Sequence, residues 1–191
     1  LNGEYWGIHN IRERYDTWYL ENKYDVDRSL FTILQNDGVN YGVLDDGSPD
    51  AIEHYEEMFQ FVLESDMSVE ENYRKVEEMI DVENLIDYYI AQIYLVNTDW
   101  PANNMRYWRY NGEASEQPHL DGKWRWLLFD TDYGFGIEPG LGYAYGSSVE
   151  TDMLTRVTEG DHWSRVFFAQ LLKNVEFKEQ FVIRYMDQVN T

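Results

Sequence analysis

Between Asp50 and about Ser65 the apolar residues Ile52, Tyr55, Met58, Phe59 and Val62 recur at helical spacing, which predicts an exposed helix with one buried stripe. Ser68 and Glu71 have the spacing of a capping box and open a second, strongly charged helix that runs to about Met79. The stretch "DVENLIDYYIAQIYLVN" is apolar on most of its sides, so it reads as the central helix, ending near Asn97. Helical spacing returns in "HWSRVFFAQLLKN" and "EFKEQFVIRYMDQV". Elsewhere the spacing falls to two. "NNMRYWRY" and "KWRWLLFD" read as two strands joined through the polar turn "NGEASEQPHLDG", a hairpin. "SLFTILQNDG" reads as a short strand that passes into a Gly/Asp/Asn-rich loop lasting through Pro49. The opening "LNGEYWGIHNIRERY" reads as a strand leaving an Asn2-Gly3 turn, with Lys23 in a solvated turn after it, and "DTDYGFGIEPGLGYAYGSS" is a glycine-rich loop. Strands, then helices, then a hairpin, then helices make an α+β domain.

Composition narrows the function. A chain of 191 residues, 43% hydrophobic and 17% aromatic, has material for one folded domain with a substantial core. Its 36 acidic and 15 basic residues give a net charge of −21, which repels nucleic-acid phosphates and anionic lipid and suits cations or a basic protein partner. The absence of cysteine removes disulfides, thiol catalysis and cysteine-bound zinc. No apolar run approaches ~18 residues, so no spanning helix or signal peptide is expected within the sequence. The abrupt start at Leu1 reads as the edge of a domain cut from a longer protein. His9, His54, His119 and His162 lack ligand spacing and read as structural or surface residues.

The chemistry concentrates in two places. Asp99 and Asn104 have the Asp-x4-Asn spacing of a kinase catalytic loop, in which the acid takes the substrate hydroxyl proton and the amide holds metal. They follow the most apolar helix and precede the hairpin, whose second strand runs into "FDTDYGFG". There Asp132-Tyr133-Gly134 matches the metal-binding Asp-Phe-Gly turn, and Asp130 lies two residues earlier on the same side of an extended chain. Phosphoryl transfer needs hard oxygen ligands for Mg²⁺ and a group that orients the attacking hydroxyl. Asn104 and Asp132 meet the first need and Asp99 the second; Asp130 would serve a second metal or support the first.

"NTDWPANNMRYWRY", "GKWRWLLFDTDYGFG" and the opening "LNGEYWGIHNIRE" together resemble the CotH (spore coat protein H) family of atypical secreted protein kinases, over nearly the whole chain. The resemblance implies a protein-kinase-like α+β fold, mostly the helical lobe, with the hairpin carrying the metal-binding turn and the upstream lobe largely absent. It implies transfer of the ATP γ-phosphoryl group to Ser/Thr hydroxyls of a protein, Ser-rich and basic, with Mg²⁺ or Mn²⁺, in an extracellular or spore-surface setting. Asp99 becomes the catalytic acid residue, Asn104 and Asp132 the metal ligands with Asp130 accessory, and Trp126 an adenine platform. Asn103 and Arg106 fall inside the family motif as accessory residues, and Glu13 reads either as a surface carboxylate or as a contact for a basic group upstream. No glycine-rich phosphate loop or strand lysine precedes these motifs, so residues 1–191 read as a single, N-terminally truncated kinase domain that is inactive alone if the upstream lobe is needed.

Other readings stand beside these. Asp99 before Trp-Pro is also a turn starter, "DTDYG" also offers alternating oxygens to calcium, and Trp124 and Trp126, alternating with Arg125, also form a core stripe. Seven Trp and sixteen Tyr would serve a carbohydrate-active or carbohydrate-binding surface domain, with paired acids as its catalytic groups. A degenerate adhesion domain that kept the fold and lost turnover is the remaining alternative.

Overall fold

The computed structural model describes residues 13–136, 148 and 150–190, and the expected opening strand falls almost wholly outside them. Among the described residues the chain is α+β, with seven α-helices and one antiparallel sheet of four strands. In chain order these are α1 (Thr17–Tyr24), β1 (Phe31–Gln35), β2 (Val43–Gly47), α2 (Ile52–Glu64), α3 (Glu70–Met79), α4 (Val82–Leu95), β3 (Arg106–Tyr110), β4 (Arg125–Leu127), α5 (Met153–Thr158), α6 (Trp163–Leu171) and α7 (Val175–Asn190). The strands lie in the order β2-β1-β3-β4. Among the described residues no helix is long and apolar enough to cross a membrane.

Alternation along the strands buries both faces of the sheet. Leu34, Tyr107, Trp124 and Trp126 point into the main core with the helices, while Phe31, Ile33, Trp108 and Tyr110 face a smaller core completed by Leu20 of α1. The stripe on α2 is buried as expected: Tyr55 stacks on Tyr107 at 4.2 Å between centroids, and Phe59 stacks on Phe167 at 4.9 Å. α4 buries Leu85, Ile86, Tyr88, Tyr89, Ile90, Gln92 and Ile93, which makes it the central helix its all-round apolarity predicts. Asp81 caps it by accepting from the Asn84 N–H at 3.0 Å. β3 and β4 form the expected hairpin, in register Tyr107↔Trp126.

Three expectations need correction, and one helix goes unpredicted. Residues 17–24 are a helix: the Asp16 side chain accepts from the Tyr19 N–H, and Lys23 lies against the Tyr19 hydroxyl at 3.1 Å on α1, where a solvated turn is expected. The loop before Pro49 contains β2, a charged edge strand whose "VLDDG" lacks alternation and which pairing with β1 makes extended. The capping box of Ser68 and Glu71 does not form, because Asp66 takes both the Ser68 N–H and its hydroxyl, and the helix starts from Val69 without a side-chain cap. The short α5, capped by Asp152, carries too brief a pattern to be seen in the sequence.

Candidate active site

The end of α4 sets up the first loop. Asn97 N–H closes the helix on Gln92 O at 3.2 Å, while Val96 takes a left-handed φ of 54°. A β-branched residue there is strained by roughly 1–2 kcal/mol, which the surrounding packing must hold. Trp100, 1% exposed, inserts into the core and meets Tyr89 edge-on at 4.8 Å, so it pins the loop; the Trp100–Pro101 peptide is cis. Asp99 remains at the rim. Its two carboxylate oxygens each accept one amide N–H, Oδ1 from Asn103 at 3.1 Å and Oδ2 from Asn104 at 2.7 Å. Asn104 has φ 54°, a conformation asparagine tolerates better than most residues. Gly38, after β1, has φ 88° and passes so close that an added Cβ would sit 2.6 Å from Asn103 Oδ1.

The second loop leaves β4 and lies along the first. Phe135 N–H donates to Leu95 O at 2.8 Å and Thr98 N–H to Tyr133 O at 3.5 Å. Gly134 approaches the end of α4 closely enough that a Cβ would meet Leu95 O at 2.6 Å. A buried polar chain then ties the two loops through α4. The Tyr88 hydroxyl donates to Asn104 O at 3.3 Å, and Gln92 Nε2 donates to that hydroxyl at 3.2 Å. Asn97 Nδ2 donates both to Gln92 Oε1 at 2.9 Å and to Asp130 O at 3.2 Å. Gln92 and Asn97 are fully buried. The backbone of the Asp99–Asn104 motif and that of the Asp130–Gly134 turn are therefore fixed to one another by a continuous set of hydrogen bonds, and burial of that set makes each bond hard to replace with water. Of the six non-glycine residues with left-handed φ among the described residues, four (Val96, Asn104, Asp130 and Phe135) fall in these two loops.

The remaining predicted residues are placed differently. Arg106 pairs with Asp45 of β2, Nε to Oδ2 at 3.2 Å, and its guanidinium carbon lies 4.4 Å from the Phe129 ring centre. Together with Asp130 and the exposed Glu13 it lines a cleft of about 630 Å³. Trp126 is 3% exposed and packs among Tyr107 and Phe167, so its ring is part of the core and presents no face on which an adenine could stack. That is the placement its alternation with Arg125 predicts.

A second cleft of about 330 Å³ opens at Asp99, and its far wall comes from residues that no motif singles out: Arg156, Asp161, His162, Ser164 and Arg165. Arg156 braces the loop by donating to Thr98 O. His162 caps α6, its Nδ1 lying 2.8 Å from Ser164 Oγ, a role its place before "WSR" makes legible afterwards. Arg156 carries no comparable signal.

The donor types suit a hard divalent cation. The Asn104 amide nitrogen is spent on Asp99, which leaves the amide oxygen, and Asp130 and Asp132 are exposed acids on the adjoining turn. Among the described residues no three His, Asp or Glu side chains are grouped as metal ligands, so the fit lies in donor chemistry and in the joined backbones.

No curated protein and no solved structure matches the chain. The model of the family described as CotH kinase protein matches residues 1–191, all of the sequence. The chain therefore belongs to the CotH kinase protein family.

Proposed function

We propose that the chain transfers the γ-phosphoryl group of ATP to a Ser or Thr hydroxyl of a protein, in a kinase-like arrangement with Asp99 as the group that receives the acceptor. The observation that carries this reading is the hydrogen-bonded chain from Asn104 O through Tyr88, Gln92 and Asn97 to Asp130 O. It keeps an acid that can accept a hydroxyl proton in fixed relation to a turn bearing two acids. Asp99, held through both oxygens by Asn103 and Asn104, is oriented without having to reorganise when the acceptor arrives. The accepting oxygen bonds to the γ-phosphorus as the bond to ADP breaks, and the hydroxyl proton passes to Asp99. Mg²⁺ or Mn²⁺, when bound, would neutralise charge on the phosphates. Asn104 Oδ1 and the Asp132 carboxylate would hold it, with Asp130 accessory. Arg106, paired with Asp45 of β2, would help fix the sheet against the Asp130 segment through its contact with the Phe129 ring. An extracellular or spore-surface setting belongs to the same reading.

The carbohydrate reading has less support, since Trp100, Trp108, Trp124 and Trp126 are buried and the exposed Trp18 is covered on one face by Arg28 at 3.8 Å. Titration calorimetry of ATP with Mg²⁺ or Mn²⁺, repeated with EDTA, tests the proposal. Asp132→Ala should abolish metal-dependent ATP binding, and Asp99→Asn should retain binding while losing at least about a hundredfold in transfer to protein hydroxyls. Full transfer by Asp99→Asn would refute the assignment.

A further inference from the structure

The cleft at Asp99 has a character at odds with the chain as a whole. On one wall are Thr98, Asp99 and Asn103; on the other are Arg156, Ser164 and Arg165. Two guanidinium groups thus face the proposed acceptor site in a protein whose net charge is −21. Arg165 Nη1 donates only to a backbone carbonyl, Glu159 O at 3.1 Å, and no carboxylate pairs with it among the described residues, so its charge is not neutralised. The first turn of α6 meets the cleft through Ser164 and Arg165, but its N–H groups are taken by His162, Ser164 N–H by Nδ1 and Arg165 and Val166 N–H by the carbonyl, so the positive charge on this wall comes from the guanidinium groups. An independent feature lies opposite. Thr98 is 2% exposed, lines the cleft, and its hydroxyl has no hydrogen-bond partner, leaving a donor unused beside the catalytic carboxylate. Asp161, exposed and one residue before the α6 cap, offsets part of the charge, as Asp99 does on the opposite wall.

We propose that this cleft holds the acceptor segment and selects one in which an anionic group, a phosphoserine or an acidic side chain, neighbours the accepting hydroxyl. The inference rests on the kinase reading for the role of the hydroxyl, and on the cleft alone for its preference. It reverses what total charge suggests, since −21 attracts a basic partner. At physiological salt, screening over about 8 Å leaves the nearest groups to decide. Arg165 supplies a fork of donors for an anionic oxygen, and the unpartnered Thr98 hydroxyl is of the kind that completes such a site.

The test is fluorescence anisotropy of labelled serine peptides without ATP, at about 0.15 M salt. The peptides differ only in carrying phosphoserine, aspartate or alanine at positions flanking the serine. The phosphoserine peptide should bind about tenfold tighter than the alanine peptide, Arg165→Gln should bring the ratio to within about twofold, and Arg165→Lys should retain most of it. The ATP affinity and melting temperature of both variants should match the wild type. A preference for phosphoserine alone identifies a previously phosphorylated segment as the ligand; an equal preference for aspartate identifies an acidic one. Equal binding of all three peptides, no binding, or a preference that survives Arg165→Gln overturns the inference. Phosphoryl transfer is measured separately: anion preference without transfer removes the kinase reading and leaves the cleft, and transfer without preference does the reverse.

Discussion

Replacing Asn97 by alanine removes the one side chain that donates to both Gln92 and Asp130, and so cuts the link between the two loops. Two neutral hydrogen bonds contribute about 1 kcal/mol each, and stranding the fully buried Gln92 Oε1 adds a further 1–3 kcal/mol. Asp130 is exposed and water can replace its lost donor, while the Asn97 Oδ1, which has no partner, is removed at a gain. The sum is a loss of about 3 kcal/mol, a large share of the roughly 5–15 kcal/mol that holds a domain together. In a chain of 191 residues it lowers the melting temperature by about 6–12 °C. Urea unfolding with an unchanged slope reads the same quantity. Asn97→Asp keeps the outline of the side chain but turns its donor into an acceptor facing two acceptors, so it should be at least as destabilising at neutral pH. A loss below about 1 kcal/mol in both variants would refute the network as a structural tie. If Asn97→Ala were destabilised but bound ATP with wild-type affinity, the tie would hold the fold without serving the site.

Asn104→Gly keeps the left-handed backbone at φ 54° and removes the amide, so transfer should fall at least about tenfold with little loss of stability; Asn104→Ala should lose about 1 kcal/mol more, and urea melts of the pair separate backbone from side chain. Gly38→Ala, at φ 88° and against Asn103, should lower stability by about 1–2 kcal/mol and lower transfer without changing metal-dependent ATP binding, as parallel melts and assays would reveal. Asp121 sets an acid limb. Burial would raise its carboxyl, but hydrogen bonds from Arg125 and the Lys123 N–H, with the Arg125 charge, hold it at about 2. Its contribution is therefore complete above the ordinary value of 3.8 and is lost as pH falls toward 2; with the side chain 35% exposed it is about 1 kcal/mol, and Asp121→Asn should flatten stability across that window.

Several features were legible from local pattern alone. The all-round apolarity of residues 81–97 marked a central helix, the alternating aromatics of residues 103–130 marked a hairpin, and the α2 stripe named four of its buried residues. The Asp99–Asn104 spacing and the Asp130–Gly134 turn were legible too, because phosphoryl chemistry draws on few residue types, and each motif is contiguous in the chain. Neither α1 nor β2 could be seen. α1 buries only Thr17 and Leu20, and β2 is extended by its pairing with β1, so their own residues impose no period. Which way Trp126 serves the protein was equally hidden: a tryptophan on a strand can stack on a ligand or fill a core, and only the rings of Tyr107 and Phe167 on its face decide for the core. The same holds for Gln92 and Asn97, polar residues at the end of an apolar helix, which bond to each other and, through Asn97, to a loop more than thirty positions away. It holds most for Arg156 and Arg165, which have no motif and reach Asp99 because α5 and α6 fold back against it. Sequence determined which candidate groups the chain offers and its central elements, since both depend on residue type and short spacing. Tertiary structure decided what faces the acid and what ties its loop to the second turn, since those contacts join segments that the chain order keeps apart.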